Sequence, residues 1–403
     1  MAFVSTHTVK SYTAANPNRD MAGRPKQVRR GKFARNARSS QNVSRCTGKL
    51  AEVYAGIGKE GSIRTHFLPE VIAHALRDNH GHTWEDAVKL SRDWSGKISK
   101  MANWKKVDSS KDEFADLDFS DLDATRAWLE TKEFAYCTLA TVKACTDLLV
   151  AAIAEPDDKL QKALLKKASK ALWDTSGALV ISHQGRMVAS DSDARVEAAT
   201  SRSWAVGVGK ESTWIDDFVA VDDLMTSAGA GHLGSSWLMT ATMLGSIHTD
   251  VPLFHKNMTG GVDDIPLADT VDGVTVYHRA NVDEIPNAMS KTTAPYGRTP
   301  IVITVVTKGQ PLSLDGAFNA PVQTDGNVEE ETLKCLDAHI KGLLQMHDHD
   351  EKSVEAIHWC AAFSEDTAPW LSGYTKAHHH ANLTDHWAGV RASILAMGGG
   401  EDA

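Results

Sequence analysis

The chain lacks several things that would announce a function class. Its five cysteines, Cys46, Cys137, Cys145, Cys335 and Cys360, form no C-x-x-C pair, and their odd number excludes a closed disulfide framework and a cysteine zinc site. They read as reduced, mostly buried thiols. No apolar run approaches the roughly 20 residues a membrane helix needs, and the start of the chain does not show the basic-then-apolar layout of a secretory signal. The expectation is a cytoplasmic protein with no membrane partner. Phosphate-loop and dinucleotide-binding glycine patterns are absent, so no cofactor is implied. There is no internal repeat: Trp84, Trp94 and Trp104 recur every ten residues with nothing else repeating, and they read as core anchors.

What is present is a sizeable apolar fraction, 42% of 403 residues, and an uneven charge distribution. The net charge is −9, which by itself argues against a polyanionic partner. Yet residues 1–50 hold eleven Lys or Arg against the single Asp20. A cationic strip on an acidic body suits a polyanion, because clustered cations release its condensed counterions while the acidic remainder limits indiscriminate sticking.

Local patterns suggest the elements. Residues 3–12, rich in β-branched and aromatic side chains, read as a strand. Residues 16–38, with Asn-Pro, Gly-Arg-Pro and spaced cations, show no period and read as a loop. Ser39 and Ser40 can cap a helix running toward Val53, with Gln41 and Arg45 on one side. From about 60 to 172 the chain is mainly helical, with starts at Thr83/Asp86 and Asp157. There Leu160, Leu164, Ala168 and Leu172 share a face, and Lys162, Lys166, Lys167 and Lys170 form a solvated side. ALVISHQGRMVA after Gly177 reads as strand, and Asp272-Gly273 between β-branched residues reads as a hairpin turn. IVITVVT at 301–307 reads as a central strand buried on both faces, and Leu333, Leu336, Ile340 and Leu343 as a helix face. The fold class is α+β.

The segment NPNRDMAGRPKQVRRGKFARNARSSQNVSR, Asn16 to Arg45, resembles the N-terminal signature of the CasC-type backbone subunit of type I-E CRISPR Cascade, of the RAMP superfamily. GSIRT at 61–65, then SHQGRM, DDFVAVDD and GHLGSS across 182–236, and PLSLDGAFNAP at 311–321 resemble the same family in the same order. The resemblance implies a modified RNA-recognition-motif (ferredoxin-like) palm over 1–58 and 176–403, a helical fingers insertion over 59–175, and a β-rich thumb loop at about 205–245. It also implies a CRISPR RNA (crRNA) binding protein, not an enzyme. Several copies would polymerise head to tail along the guide and present its bases to target DNA. Its other partners would be the large subunit, small subunits, 5′-handle-binding subunit and repeat-hairpin endoribonuclease subunit of Cascade.

A guide of variable sequence has to be held by phosphates and riboses, leaving base edges free. By the resemblance, Arg19, Lys26, Arg38, Arg45 and Lys49 would contact phosphates, and Ser39, Ser40 and Gln41 would add hydrogen bonds. Arg186 and Met187 would lie at the RNA, Met187 packing on bases, and Phe218, Val219, His232 and Leu233 would form the thumb that wedges between nucleotides. From the residues alone, Met187 and Phe218 read as core, Ser39 as a cap, and His232 as a loop histidine.

Two alternatives stay open. Asp222, Asp223 and His232 gather acids and an imidazole that a metal-dependent RNA nuclease would use, and an RNA-packaging filament protein would share the same electrostatics. The histidines at 347–350 and 378–380 read as solvated polar stretches, with no metal assigned.

Overall fold

The computed structural model describes residues 2–58, 61–98, 121–131, 133–188, 191–192, 194–221, 223–224, 232–261, 266–347 and 352–398. The chain divides into two compact units. One comprises Met1–Ala55, Thr200–His255 and Ile265–Ala403, the other Gly56–Ala199 and Lys256–Asp264.

The strands in chain order are β1 (Ala2–Ala15), β2 (Gln27–Arg30), β3 (Phe33–Arg38), β4 (Ser62–Thr65), β5 (Ala135–Thr138), β6 (Thr200–Arg202), β7 (Ala205–Gly207), β8 (Thr213–Ala220), β9 (His232–Asp250), β10 (Ile301–Lys308), β11 (Val354–Ala361) and β12 (Ala377–His379). In the first unit the sheet runs β12-β11-β10-β1-β9-β7-β3-β2, with β6 and β8 also paired to β9. Helix α1 (Ser40–Tyr54) and the helix Leu267–Asp283 connect the central strands, giving β1-α1-β7-β9-helix-β10 in spatial order β10-β1-β9-β7. Every pairing among these four strands is antiparallel, the split βαβ arrangement of a ferredoxin-like palm.

Both faces of this sheet are covered, which explains why β1 and β10 carry almost unbroken buried runs. Val9, Ile301, Ile303 and Val305 pack with Leu312, Phe318, Leu333, Leu336 and Ile340 on one side. On the other, a polar row is hydrogen-bonded internally, except at His386 Nδ1, which has no partner among the described residues. Thr200 meets Thr249 at 2.7 Å, His278 bridges Thr249 and Thr6 at 2.8 Å each, and Thr304 joins Thr6 to His386 at 3.0 Å each. Buried hydroxyls and imidazoles cost about 1–3 kcal/mol apiece when left unpaired, so such a row specifies register.

The second unit is helical around one small sheet, β4 antiparallel to β5. Leu68, Ile72, Leu76, Val88, Cys137, Leu149 and Leu172 form its core, with Trp84 and Trp94 packed against it. Trp104 lies outside the described residues. The expected helix starts occur: Asp86 N–H donates to the Thr83 hydroxyl, and Asp157 accepts from the N–H groups of Lys159 and Leu160. On the helix Asp158–Leu172, Ala168 and Leu172 are buried while Leu160 is exposed and the four lysines lie toward solvent.

Three expectations fail, each for a physical reason. The supposed loop 16–38 contains the hairpin β2–β3, closed by Gly31-Lys32 with Gly31 at φ +60°, a conformation that favours glycine. The supposed hairpin at Asp272-Gly273 is the interior of the helix Leu267–Asp283. Val271, Val274, Tyr277, His278 and Asn281 are buried at helical spacing, and that buried face overrides the turn signal. Leu179–Gln184 is a short helix buried on all sides, where periodicity cannot separate helix from strand.

Candidate nucleic-acid interface

The basic segment is shaped by its few non-basic residues. The Asp20 carboxylate accepts the N–H groups of Ala22 and Arg24, each at 2.9 Å, so the one acid folds the turn Arg19–Pro25. Asn18 accepts the Ser39 N–H at 2.9 Å, and Asn16 donates to Gly23 and Trp237 carbonyls, fastening the turn to the start of α1 and to β9. The cations then project outward. Arg19, Arg24, Arg29, Lys32, Arg45, Lys49 and Lys210 are exposed and Lys26 partly so.

Aromatic faces lie beneath several of them. Arg24 sits 5.4 Å from the Trp237 ring, Lys26 5.3 Å from Trp204, and Lys32 and Lys210 each 5.3 Å from Phe33. Cations set over aromatic plates are the kind of surface on which a phosphodiester chain can be held without its bases being read. Arg24, Arg29, Lys32, Lys210 and the three aromatics were not named from the sequence; recognising the β2–β3 hairpin would have brought out Arg29, Lys32 and Phe33, whereas Trp204, Trp237 and Lys210 come from segments remote in the chain.

The expected site residues divide. On α1, Gln41, Arg45 and Lys49 recur every fourth residue along one exposed stripe, with Lys49 paired to Glu52 at 3.0 Å. Ser39 is buried and caps α1, accepting the Asn42 N–H, and the Ser40 hydroxyl lies 3.4 Å from the Gln41 side chain.

Arg38 does not belong to the outward strip. It is 1% exposed and its guanidinium grips Glu284 through two bonds of 2.7 and 2.9 Å, with Tyr12 and Asn42 taking its other donors. Burial resists ionisation of Glu284, but Lys10 and Arg38 outweigh it and hold the carboxyl down at about 2. Arg186 is likewise enclosed, donating to the carbonyls of Ala194, Tyr136 and Trp173, and burial lowers it to about 10. Both arginines were expected at RNA; the fold uses their donors internally. Met187, one residue on, is 91% exposed rather than core.

The outer half of β9 leaves the sheet paired only with β8, forming a two-stranded ribbon exposed along nearly its whole length. Ile215, Val219 and Leu233 line one side, and Trp214, Phe218 and His232 the other. The Phe218 ring lies over Gly234, where a Cβ would come within 2.4 Å of it, so only glycine admits this packing. Apolar side chains on both faces of a bare ribbon are unusual without a partner. Asp223 is exposed near its tip; Asp222 lies outside the described residues.

Histidines 378–380 are not all solvated. His380 Nε2 lies 3.0 Å from His358 Nδ1, and His379 pairs with Glu365 at 2.7 Å. Burial and neighbouring imidazoles push His358 down to about 3. His347 ends the helix Val328–Met346, and residues 348–350 lie outside the described set. Among the described residues, no group of three or more His, Cys, Asp or Glu is placed to hold a metal ion, and no helix is long and apolar enough to cross a membrane.

No curated protein matches the chain. Two solved structures share its fold. A chain of a CRISPR RNA-guided surveillance complex, pre-nicking, superposes with a TM-score of 0.76 at 18% identity, covering 97% of this chain and 100% of that one. A chain of another CRISPR RNA-guided surveillance complex gives 0.68 at 16% identity, covering 97% and 99%. Residues 4–379, nearly the whole sequence and spanning the cationic strip, palm and ribbon alike, match a family model, and the chain therefore belongs to the CT1975-like protein family.

Proposed function

We propose that this chain is a guide-RNA-binding backbone subunit of a type I-E-like CRISPR surveillance complex. The observation that carries the reading is the outward cationic strip, laid over Trp204, Trp237 and Phe33 on a ferredoxin-like palm. Its cations bind phosphates regardless of base, which leaves the guide free to pair with target DNA. The fold shared with chains of RNA-guided surveillance complexes supports the same reading.

The apolar ribbon supplies the second part. Phe218, Val219 and Leu233 offer surface to displaced nucleobases or to the next copy, so that head-to-tail copies space themselves along one RNA. The chain itself performs no cleavage in this proposal, and the other Cascade subunits complete the particle.

The test is purification with the operon partners followed by sequencing of the bound RNA. A guide bearing a defined repeat-derived handle is the expected result, whereas RNA of random sequence would replace this reading with nonspecific packaging. RNA left intact after incubation with Mg²⁺ is expected; cleavage abolished by Asp223→Asn would instead assign a nuclease.

A further inference from the structure

The first unit contains another concentration of positive charge, separate from the outward strip, in which Lys10 and Arg38 are buried and Arg202 partly so. Lys10 of β1, Arg38 at the end of β3 and Arg202 at the end of β6 converge beside one carboxylate, Glu284. Arg38 occupies both Glu284 oxygens, and Lys10 Nζ donates to Glu284 Oε1 at 3.1 Å and to its carbonyl at 2.7 Å.

Among the described residues, Arg202 forms no ion pair at salt-bridge distance, though Glu284 acts on it from further away. It donates to Asn281 Oδ1 and, at 3.3 Å, to the Thr47 hydroxyl, both neutral. Burial pushes it below the usual arginine range, with the Tyr277 hydroxyl as the main opposing influence. Of the other acids, Asp283 accepts from Tyr54 at 2.8 Å, faces Arg279 and also acts on Lys10, while Asp315 accepts the hydroxyls of Ser246 and Ser203. Three cations thus gather at one hydrogen-bonded carboxylate, Arg202 only partly buried, and the cluster keeps an excess of positive charge.

Between these groups lies a cavity of about 20 Å³, lined by Lys10, Arg38, Arg202, Ser203 and Asn281 and also by Glu284, whose oxygens are taken up by Arg38 and Lys10. That is room for one water-sized species. We propose that the cavity is an anion site that takes a single halide ion, chloride under cellular conditions. The ion supplies the missing negative charge, and the cavity is too small for a phosphate or carboxylate. It ties β1, β3 and β6 together, so chloride stabilises the palm by mass action. The proposal does not depend on guide RNA.

The deciding experiment is crystallisation of the full chain, free or in its complex, in bromide, with anomalous scattering. One bromide peak within hydrogen-bond reach of Lys10 Nζ and the Arg202 guanidinium is expected; water density there, or no peak, overturns the proposal. In solution, Tm should be about 2–4 °C higher in sodium chloride than in sodium gluconate at equal ionic strength. Arg202→Met should abolish that difference, and a difference that persists in the variant counts against the site. Should the variant fail to fold, chloride NMR line broadening by the wild-type chain, reversed by bromide, replaces it, and absence of broadening again overturns the proposal.

Discussion

Arg38 and Arg45 lie seven residues apart in one basic segment and meet opposite fates. The inner set, Arg35 and Arg38, is fully buried: Arg35 donates to the carbonyls of Gly207, Val208, Gly209 and Phe318, and Arg38 to Glu284. The outer set, Arg24, Arg29, Lys32 and Arg45, projects from the turn, the β2–β3 hairpin and α1. The contrast teaches that cationic density marks a region and not a role. Inner arginines hold the palm's edge strands in place, so that the outer ones are presented from a rigid support.

The comparison is sharpened most by Glu284→Gln. Removing the one charge that Arg38 and Lys10 share should cost about 3–5 kcal/mol, read as a lower midpoint in urea unfolding. A destabilisation below about 1 kcal/mol would move Arg38 out of the structural set.

Acidification should weaken the inner framework next. His7, His358 and His386 are enclosed as neutral imidazoles with lowered pKa values, from burial first and neighbouring histidines second. Their folded forms resist protonation, so their contribution is fully present above pH 6.5 and falls as pH drops, for His358 down to about 3. Each can add a slope of up to about 1.4 kcal/mol per pH unit. Glu284, lowered from 4.5 to about 2, adds a further destabilisation below pH 4.5. Urea midpoints from pH 8 to 4 measure this, and a flat profile would contradict neutral burial.

The ribbon should respond differently. Gly234→Ala should displace the Phe218 ring and cost about 1 kcal/mol or less, because the ring lies on the surface, while the regular spacing of copies on RNA is disturbed in electron micrographs. Unchanged particles would remove Phe218 from the spacing role.

The smallest stability effect belongs to the outer set. Arg45→Glu should leave unfolding within about 0.5 kcal/mol of wild type. Its effect should appear in RNA binding, where the slope of log K against log salt flattens by about 0.7 for each phosphate that is no longer neutralised, equally for all guide sequences. Arg45→Glu that unfolds the chain, or Arg38→Met that leaves stability untouched, would erase the inner and outer distinction.

Many of the elements are legible in local sequence. Unbroken β-branched runs place β1 and β10, because strands covered on both faces need them. Ser39, Thr83 and Asp157 mark helix starts, because an oxygen-bearing side chain is needed where N–H groups lack partners. The hairpin β2–β3 escapes such a reading because its outward residues are charged and its inward ones include Arg35 and Arg38, which hides the apolar alternation. Leu267–Asp283 misleads because Asp272-Gly273 is a strong turn signal only where no buried face competes.

The sequence by itself determined that a cationic strip exists, that the chain is α+β, and that strands at 3–12 and 301–307 lie inside. Only the tertiary structure decided which arginines face outward, that Trp204, Trp237 and Phe33 come under the cations, and that Lys10, Arg38 and Arg202 meet at Glu284. The reason is distance along the chain. Pleat and helix period are local and can be read from neighbours, whereas the partner that neutralises a charge or lies beneath it comes from segments as far as 274 residues away, as Glu284 does for Lys10.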